Sequence, residues 1–283
     1  MLGASRQVYY RAKKSSKKKR EKAETVVNKV LEVRRDMPRI GFRKLYYMLF
    51  DELRSLHVGR DKFLSILRAN HLLIKPRRNY RKTTNSYHRF HKYKNLIQDM
   101  ELTHPEQVWV SDITYIGGRD KNCYLALVTD AYSKKIMGYD LSESLATEGS
   151  LRALKMAVLQ RKYKKAALIH HSDRGLQYCS AEYQSALREG RITPSMTESY
   201  DPYANAVAER VNGILKQEFL LEEYDEKPDV MKLLVADAVR IYNTKRPHWS
   251  CEMKTPEQMH VQNEVKIKTY KKSTSLKASL QRC

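Results

Sequence analysis

Residues 108–116, Val-Trp-Val-Ser-Asp-Ile-Thr-Tyr-Ile, form an almost unbroken apolar run with Asp112 at its centre. Such a run is the pattern of a strand covered on both faces. A carboxylate buried there without a partner would cost several kcal/mol in lost hydration, on the order given for buried ions. A fold that uses this run as a central strand must therefore supply a cation for Asp112. From the run alone, a divalent metal and an arginine near a strand end serve equally well.

Charge divides the chain. Of 283 residues, 54 are Lys or Arg and 32 are Asp or Glu, a formal charge of +22. Residues 1–103 hold 27 cations and 9 acids, net +18, and residues 104–283 hold 27 and 23, net +4. A strongly basic third in front of a near-neutral body favours a polyanionic partner, nucleic acid before membrane. No stretch approaches the roughly 18 apolar residues of a spanning helix. The basic start carries no apolar segment of a signal peptide. A cytoplasmic location is the expectation. Cys123, Cys179, Cys251 and Cys283 are far apart and form no C-x-x-C pair, which argues against a disulfide framework or zinc knuckle. His88 and His91 are spaced like half a zinc site, with no cysteine pair to complete it.

Periodicity supplies the elements. Residues 1–23 read as a basic segment, a loop or frayed helix. Over 24–80, apolar residues at three- and four-residue steps predict three short helices, with breaks at Pro38, Gly41, Gly59 and Pro76. That spacing matches a helix-turn-helix-like DNA-binding unit. Its candidate DNA contacts are Arg43 and Lys44 on the second helix and Arg60, Lys62 and Arg68 on the third. Residues 81–104 read as a basic linker. The body, 105–261, predicts three strands, helix, strand, helix, strand and two helices, an α/β order. Residues 262–283 read as a basic tail.

Two further acids stand out. Asp173 follows the apolar segment ALIHHS, beside Arg174 and Gly175, where a strand gives way to a loop. Glu209 lies in the predicted helix NAVAERVNGILKQEF. At about 100° per residue, Val207, Val211 and Ile214 form one stripe, and Asn205, Glu209, Asn212 and Lys216 the other side. Alone, Asp173 is equally an ordinary strand-end residue, and a Glu placed like Glu209 is usually just solvated. Lys216, two turns after Glu209, would set a cation beside any phosphate held near that acid.

Taken together the motifs are specific. Thirty-five residues separate Asp173 from Glu209, and four ordered patterns frame the three acids. Trp109, Asp112, Thr114, Tyr115 and Ile116 make W-x-x-D-x-T-Y-I. His171, Ser172, Asp173, Arg174, Gly175, Gln177 and Tyr178 make H-S-D-R-G-x-Q-Y. Asn205, Ala206 and Glu209 make N-A-x-x-E. Tyr242, Asn243, Arg246, Pro247, His248, Thr255 and Pro256 make Y-N-x-x-R-P-H…T-P. In these residues the chain resembles the OrfB-type transposases of the bacterial "IS three" insertion-sequence family, relatives of retroviral integrases. One departure is Trp249-Ser250-Cys251 after R-P-H, where that family usually has small or aliphatic residues.

The resemblance implies a ribonuclease H-like mixed sheet with flanking helices. It implies a polynucleotidyl transferase whose Asp112, Asp173 and Glu209 are both catalytic and metal-ligating, holding two Mg²⁺ or Mn²⁺ ions. The reaction would be DNA cleavage and strand transfer at element ends. The implied partners are double-stranded DNA, as terminal inverted repeats and as target, further copies of the chain, and an upstream-frame protein or fusion. A bacterial protein associated with the nucleoid when on DNA is implied too. The alternative is an inactive or domesticated sequence-specific DNA-binding protein. A ribonuclease H-type nuclease would order its acids differently along the chain.

One expectation follows from charge alone. DNA affinity should fall steeply with salt, because each neutralised phosphate releases counterions. Residues 1–103 expressed alone should keep most of the slope of log affinity against log salt. Equal affinity and slope in the body alone would reduce the basic third to a solvated tail.

Overall fold

The computed structural model describes residues 6–75, 93–98, 100–117, 123–197 and 206–261. Residues 1–5, most of the expected linker with His88 and His91, Asn205 and the expected tail 262–283 lie outside the described residues.

The apolar runs become one five-stranded sheet. Its strands are β1 (Val108–Ile116), β2 (Cys123–Asp130), β3 (Ile136–Ser142), β4 (Leu168–Ser172) and β5 (Ile192–Met196), in the order β3-β2-β1-β4-β5. Hairpin connections make β1–β2 and β2–β3 antiparallel, while crossovers make β1–β4 and β4–β5 parallel. Both faces are covered, and the two-residue side-chain period sorts the core. On β2, Leu125 and Leu127 join one cluster, while Ala126 and Val128 join the other. The first cluster includes Val211, Ile214 and Leu215 of α8 (Ala206–Gln217) and Val235 and Val239 of α9 (Pro228–Thr244). The second includes Ala153 and Leu154 of α5 (Thr147–Leu159) and Tyr183 and Leu187 of α7 (Ala181–Glu189). Gly138 lets α5 lie close on β3, since a Cβ there would stand 2.0 Å from the Ala153 carbonyl oxygen. The α/β expectation holds, and the sheet is ribonuclease H-like. No described helix is long and apolar enough to cross a membrane.

The amino-terminal helices differ from expectation. The first, α1, runs unbroken from Arg6 to Asp36, so residue 23 marks no structural boundary. Lysine, arginine, alanine and glutamate are good helix formers, and residues 6–36 contain neither glycine nor proline. Apolar spacing showed only the part that packs, where Val26 and Val30 are buried. The expected second helix is two, α2 (Phe42–Met48) and α3 (Phe50–Ser55), divided at Leu49; the third is α4 (Arg60–Ala69). Phe63, Leu45 and Leu53 share one apolar cluster with the α8–α9 side of the sheet.

A charged clasp joins the helices to the body. Glu218, just after α8, accepts Arg246 Nε and Nη2 at 2.8 Å each and Lys44 Nζ at 3.3 Å. Its backbone carbonyl accepts the Arg39 N–H at 3.0 Å. Burial works against the Glu218 charge, yet the bonds from Arg246 and the charges of Arg246 and Lys44 hold its carboxyl below the usual range. Lys44 therefore departs from the DNA contact expected of it. It is half-buried in an internal ion pair, and burial, with the Arg246 charge, lowers its pKa to about 8.

The closing motif is structural. Asn243 accepts the Ile136 N–H and donates to its carbonyl, both at 3.0 Å, like a neighbouring strand on the β3 edge. Tyr242 donates to the Lys134 carbonyl at 2.8 Å. Thr255 and Gln258 form a capping box for α10 (Pro256–His260), which the sequence reading did not separate. His260 then reaches the fully buried Glu106, which also takes Arg161 and the Lys162 and Tyr163 N–H groups.

Glu218→Gln should destabilise the protein at pH 7 by about 3 kcal/mol, because it leaves Arg246 buried without its counter-charge. Glu218 has a depressed folded pKa, so its contribution is present above the ordinary 4.5 and fades as pH falls through the folded value. Denaturation midpoints of the two proteins should converge in acid. Equal stability at pH 7 would remove the clasp from the account.

Candidate active site

Strand register brings the first two acids together. The β1–β4 ladder runs from Val108↔Ile169 to Ser111↔Ser172. The next residues are Asp112, still within β1, and Asp173, where β4 has ended. Both stand at the carboxyl end of this parallel pair, the end at which open α/β sheets place their ligands. Asp112 is paired with Leu127 across the antiparallel β2.

The third acid comes from α8, which packs on β1 and β2. Val211, Ile214 and Leu215 bury one side of that helix and leave Glu209 exposed in its first turn. The expected face assignment needs one correction. Asn212 is not on a solvated face: it is buried, and its Nδ2 donates to Asp112 Oδ2 at 2.7 Å. Side chains three apart on a helix share a flank. One turn of α8 thus carries both Glu209 and the amide that fixes Asp112. Asn212 Oδ1 is buried with no protein partner among the described residues. Sequence reasoning placed Asn212 beside Glu209 but gave it no role. The signal was available: an amide one turn from an acid, on a helix that must lie on the sheet.

The arginine partner allowed by the sequence is not among the described contacts of Asp112. Its described donors are the neutral Ile113 N–H, at 2.9 Å to Oδ1, and Asn212. Burial, then the charge of Asp173, and to a smaller extent that of Glu209, push its carboxyl up to about 7, against the two hydrogen bonds. All three motif acids therefore act on one point. Among the described residues no three acidic, histidine or cysteine side chains make a ready-made metal cage. The donor chemistry still fits a hard cation: carboxylate oxygens with excess negative charge and neutral hydrogen-bond support.

The surrounding motif residues hold this geometry. Asp173 Oδ1 accepts the Gly175 N–H at 3.0 Å, closing the loop into the short helix α6 (Leu176–Cys179), which the sequence reading missed. Gly175 serves by its lack of bulk and not by an unusual φ, since a Cβ would meet Asp173 Oδ1 at 3.0 Å. His170 bridges Ser111 at 2.7 Å and Tyr183 at 2.9 Å, and His171 meets Ser195 at 2.9 Å. Burial lowers the histidine pKa values to about 3 and about 4, so both are neutral scaffold groups linking β1, β4, β5 and α7.

The expected DNA contacts are spread out. Arg43, Arg60, Lys62 and Arg68 are exposed on the amino-terminal helices, Arg60 beside Asp61. Lys216 is half-buried in the last turn of α8.

Comparison with known proteins agrees with the motifs. Two "Integrase core domain" family models match residues 103–202 and 190–256. The chain is 33% identical over 253 residues to "Insertion element IS600 uncharacterized 31 kDa protein" of Shigella sonnei, covering 88% of this chain and 92% of that one. It is also 33% identical over 219 residues to "Transposase InsF for insertion sequence IS3fB" of Escherichia coli (strain K12), 76% of each chain. The chain belongs to the IS3 family of transposases. As such it is a polynucleotidyl transferase built on an integrase core. Solved structures similar to this transposase include a simian T-cell lymphotropic virus intasome in complex with PP2A regulatory subunit B56 gamma. That match has TM-score 0.48, 19% identity, and covers 79% of this chain and 71% of that chain. Another is the HTLV-2 integrase catalytic core domain in complex with magnesium, with TM-score 0.44, 20% identity, and 56% and 97% coverage.

The raised Asp112 pKa has a consequence without metal. Between the ordinary 3.8 and about 7 the folded protein holds a proton that the unfolded chain releases, so this group lowers stability as pH rises through that window. Asp112→Asn should therefore be more stable than the wild type at pH 8 in EDTA, by at least ~1 kcal/mol. The two should match near pH 4. A variant less stable than wild type at pH 8 would contradict the crowded-charge description.

Proposed function

We propose that Asp112, Asp173 and Glu209 are the catalytic and metal-ligating acids of this transposase, and that they hold two divalent cations, Mg²⁺ or Mn²⁺. The observation that carries this reading is the Asp112 carboxyl, pushed up by burial and by the other two motif acids with only neutral donors beside it. The cations would supply charge neutralisation and an activated oxygen nucleophile for phosphodiester chemistry.

The chain's own residues set the geometry. Asp112, on the central strand, would hold the cations together with Asp173 at the end of β4 and Glu209 on α8. Asn212 holds the Asp112 carboxylate in one orientation through Nδ2. Backbone ladders fix Asp112, and a two-residue turn fixes Asp173, so neither has to be ordered when DNA arrives. The site would first expose a 3′-hydroxyl at an element end using water, and that hydroxyl would then attack a target phosphodiester. No covalent link between protein and DNA is required, so none of the 19 tyrosines needs to act as nucleophile.

DNA is held outside the acids. Terminal inverted repeats and target duplex are the partners, and the exposed Arg43, Arg60, Lys62 and Arg68 supply phosphate contacts on the amino-terminal helices. Lys216 lies two turns from Glu209 on α8, within reach of phosphates flanking the acids. Copies of the chain assemble on the paired ends, with an upstream-frame protein or fusion as a further component. The retained acids argue against the inactive DNA-binding alternative.

Asp112→Asn, Asp173→Asn and Glu209→Gln should each reduce Mg²⁺-dependent strand transfer to background while leaving binding of an end duplex largely unchanged. Lys216→Glu should weaken end binding more than thermal stability. Near wild-type strand transfer by any of the three carboxamide variants would overturn the assignment.

A further inference from the structure

The departure after R-P-H has a definite place in the fold. Residues Trp249–Cys251 form a 3-10 turn whose last side chain, Cys251, is fully buried against Tyr132 and Met259. Cross-turn bonds close the loop: His248 N–H to the Lys254 carbonyl at 3.0 Å and Met253 N–H to the His248 carbonyl at 2.8 Å. Glu252 and Met253 both adopt left-handed backbone, with φ of 54° and 64°. Non-glycine residues rarely take that conformation. This tightly held turn presents Trp249 outward with 60% of its surface exposed.

Trp249 is not alone. Arg43 of α2 lies over its ring, 5.8 Å from the centroid, a cation–π arrangement across the junction between helices and body. Tyr47, one turn after Arg43 on α2, is 52% exposed. The same junction holds Arg39, Arg43, Lys44, Lys245 and Arg246 against Asp36 and Glu218, a net positive field. Lys44 and Arg246 pair inward with Glu218 and Lys245 pairs with Asp36, so the exposed Arg43 is the cation placed to meet a phosphate. Side chains of this kind, an exposed aromatic face beside arginine in a positive field, bind unpaired bases by stacking while the cations take the phosphates.

From this juxtaposition we propose that Trp249 and Arg43 form a stacking platform for an unpaired nucleobase of DNA, a site separate from the three acids. It rests on the reading of this chain as a DNA end-processing enzyme, and it adds a preference for ends with unpaired nucleotides over blunt duplex. Strand cleavage just inside an element end, as proposed above, would leave such nucleotides. The occupant is a base of the DNA itself, chosen over a second protein copy because the surrounding charge is positive.

Tryptophan fluorescence tests the platform without catalysis. The chain has two tryptophans, and Trp109 is fully buried, so quenching by a bound base reports Trp249. Full-length protein in EDTA is titrated with a duplex bearing a short single-stranded end and with the blunt duplex, with labelled-DNA anisotropy measured in parallel. The frayed duplex should quench about half the emission and the blunt duplex much less. Trp249→Leu should abolish the quenching and weaken frayed-end binding roughly tenfold, the scale of one stacked base. Arg43→Gln should reduce both effects with Trp249 in place. Binding by anisotropy without quenching overturns the platform and leaves the acid assignment standing. Loss of stability in Trp249→Leu with unchanged end preference makes the residue a packing element and also overturns it. No binding to either duplex removes the DNA reading beneath it. Quenching by wild type with fully active acid variants would sustain the platform while the triad fails.

Discussion

Crowding of like charge at one strand end is the constraint on which the rest depends. Asp112 sits in a central strand because its neighbours Val108, Trp109, Val110 and Ile116 are buried on both faces of the sheet. The same burial removes its water, and Asp173 and Glu209 add repulsion where a protein normally supplies a cation. A stable domain would not gather these acids for its own sake. Neutral hydrogen-bond donors beside a carboxylate pushed up to about 7 are the donor chemistry on which the proposed cation site rests.

The fold answers that constraint with rigid supports. Parallel pairing of β4 with β1 sets Asp173 beside Asp112 by register, and α8 lies on β1 and β2 with Asn212 bonded to Asp112. The far end of α8 is fixed as firmly, because Glu218 follows it and takes Arg246, Lys44 and the Arg39 backbone. One helix therefore connects the acid site to the amino-terminal helices. About nine residues from Glu209 to Glu218 correspond to roughly 14 Å along a helix axis. The path between the two is short and stiff.

Much of this was legible in the sequence. Apolar runs marked β1, β2 and β4, the less apolar segments of β3 and β5 were read as a strand and as a strand or extended piece, and breakers at Pro38, Gly41 and Gly59 located the turns among the amino-terminal helices. The acids were legible as a pattern because their spacing survives without knowledge of contacts. What was not legible depends on side-chain partners distant in sequence. Asn212 reads as a polar surface residue until α8 is laid on β1. Lys44 reads as one more basic residue until Glu218, 174 positions away, claims it. The extent of α1 was hidden for another reason: apolar periodicity detects packing, and residues 6–22 are helical without packing. The departure after R-P-H does not show in the sequence which of its residues is buried: Cys251 packs inward and Trp249 is left on the surface.

Asp173 and Glu209 act electrostatically on the Asp112 carboxyl, whose own hydrogen-bond donors are neutral. A carboxyl carbon-13 titration of Asp112 by NMR, assigned through Asp112→Asn, measures this directly. In metal-free protein the account predicts a midpoint near 7, far above the ordinary 3.8, moving back toward the ordinary value when Asp173 is replaced by asparagine. Added Mg²⁺ should drive the Asp112 midpoint down by several units. An ordinary midpoint near 4 in metal-free protein, unmoved by Asp173→Asn or by Mg²⁺, would contradict it.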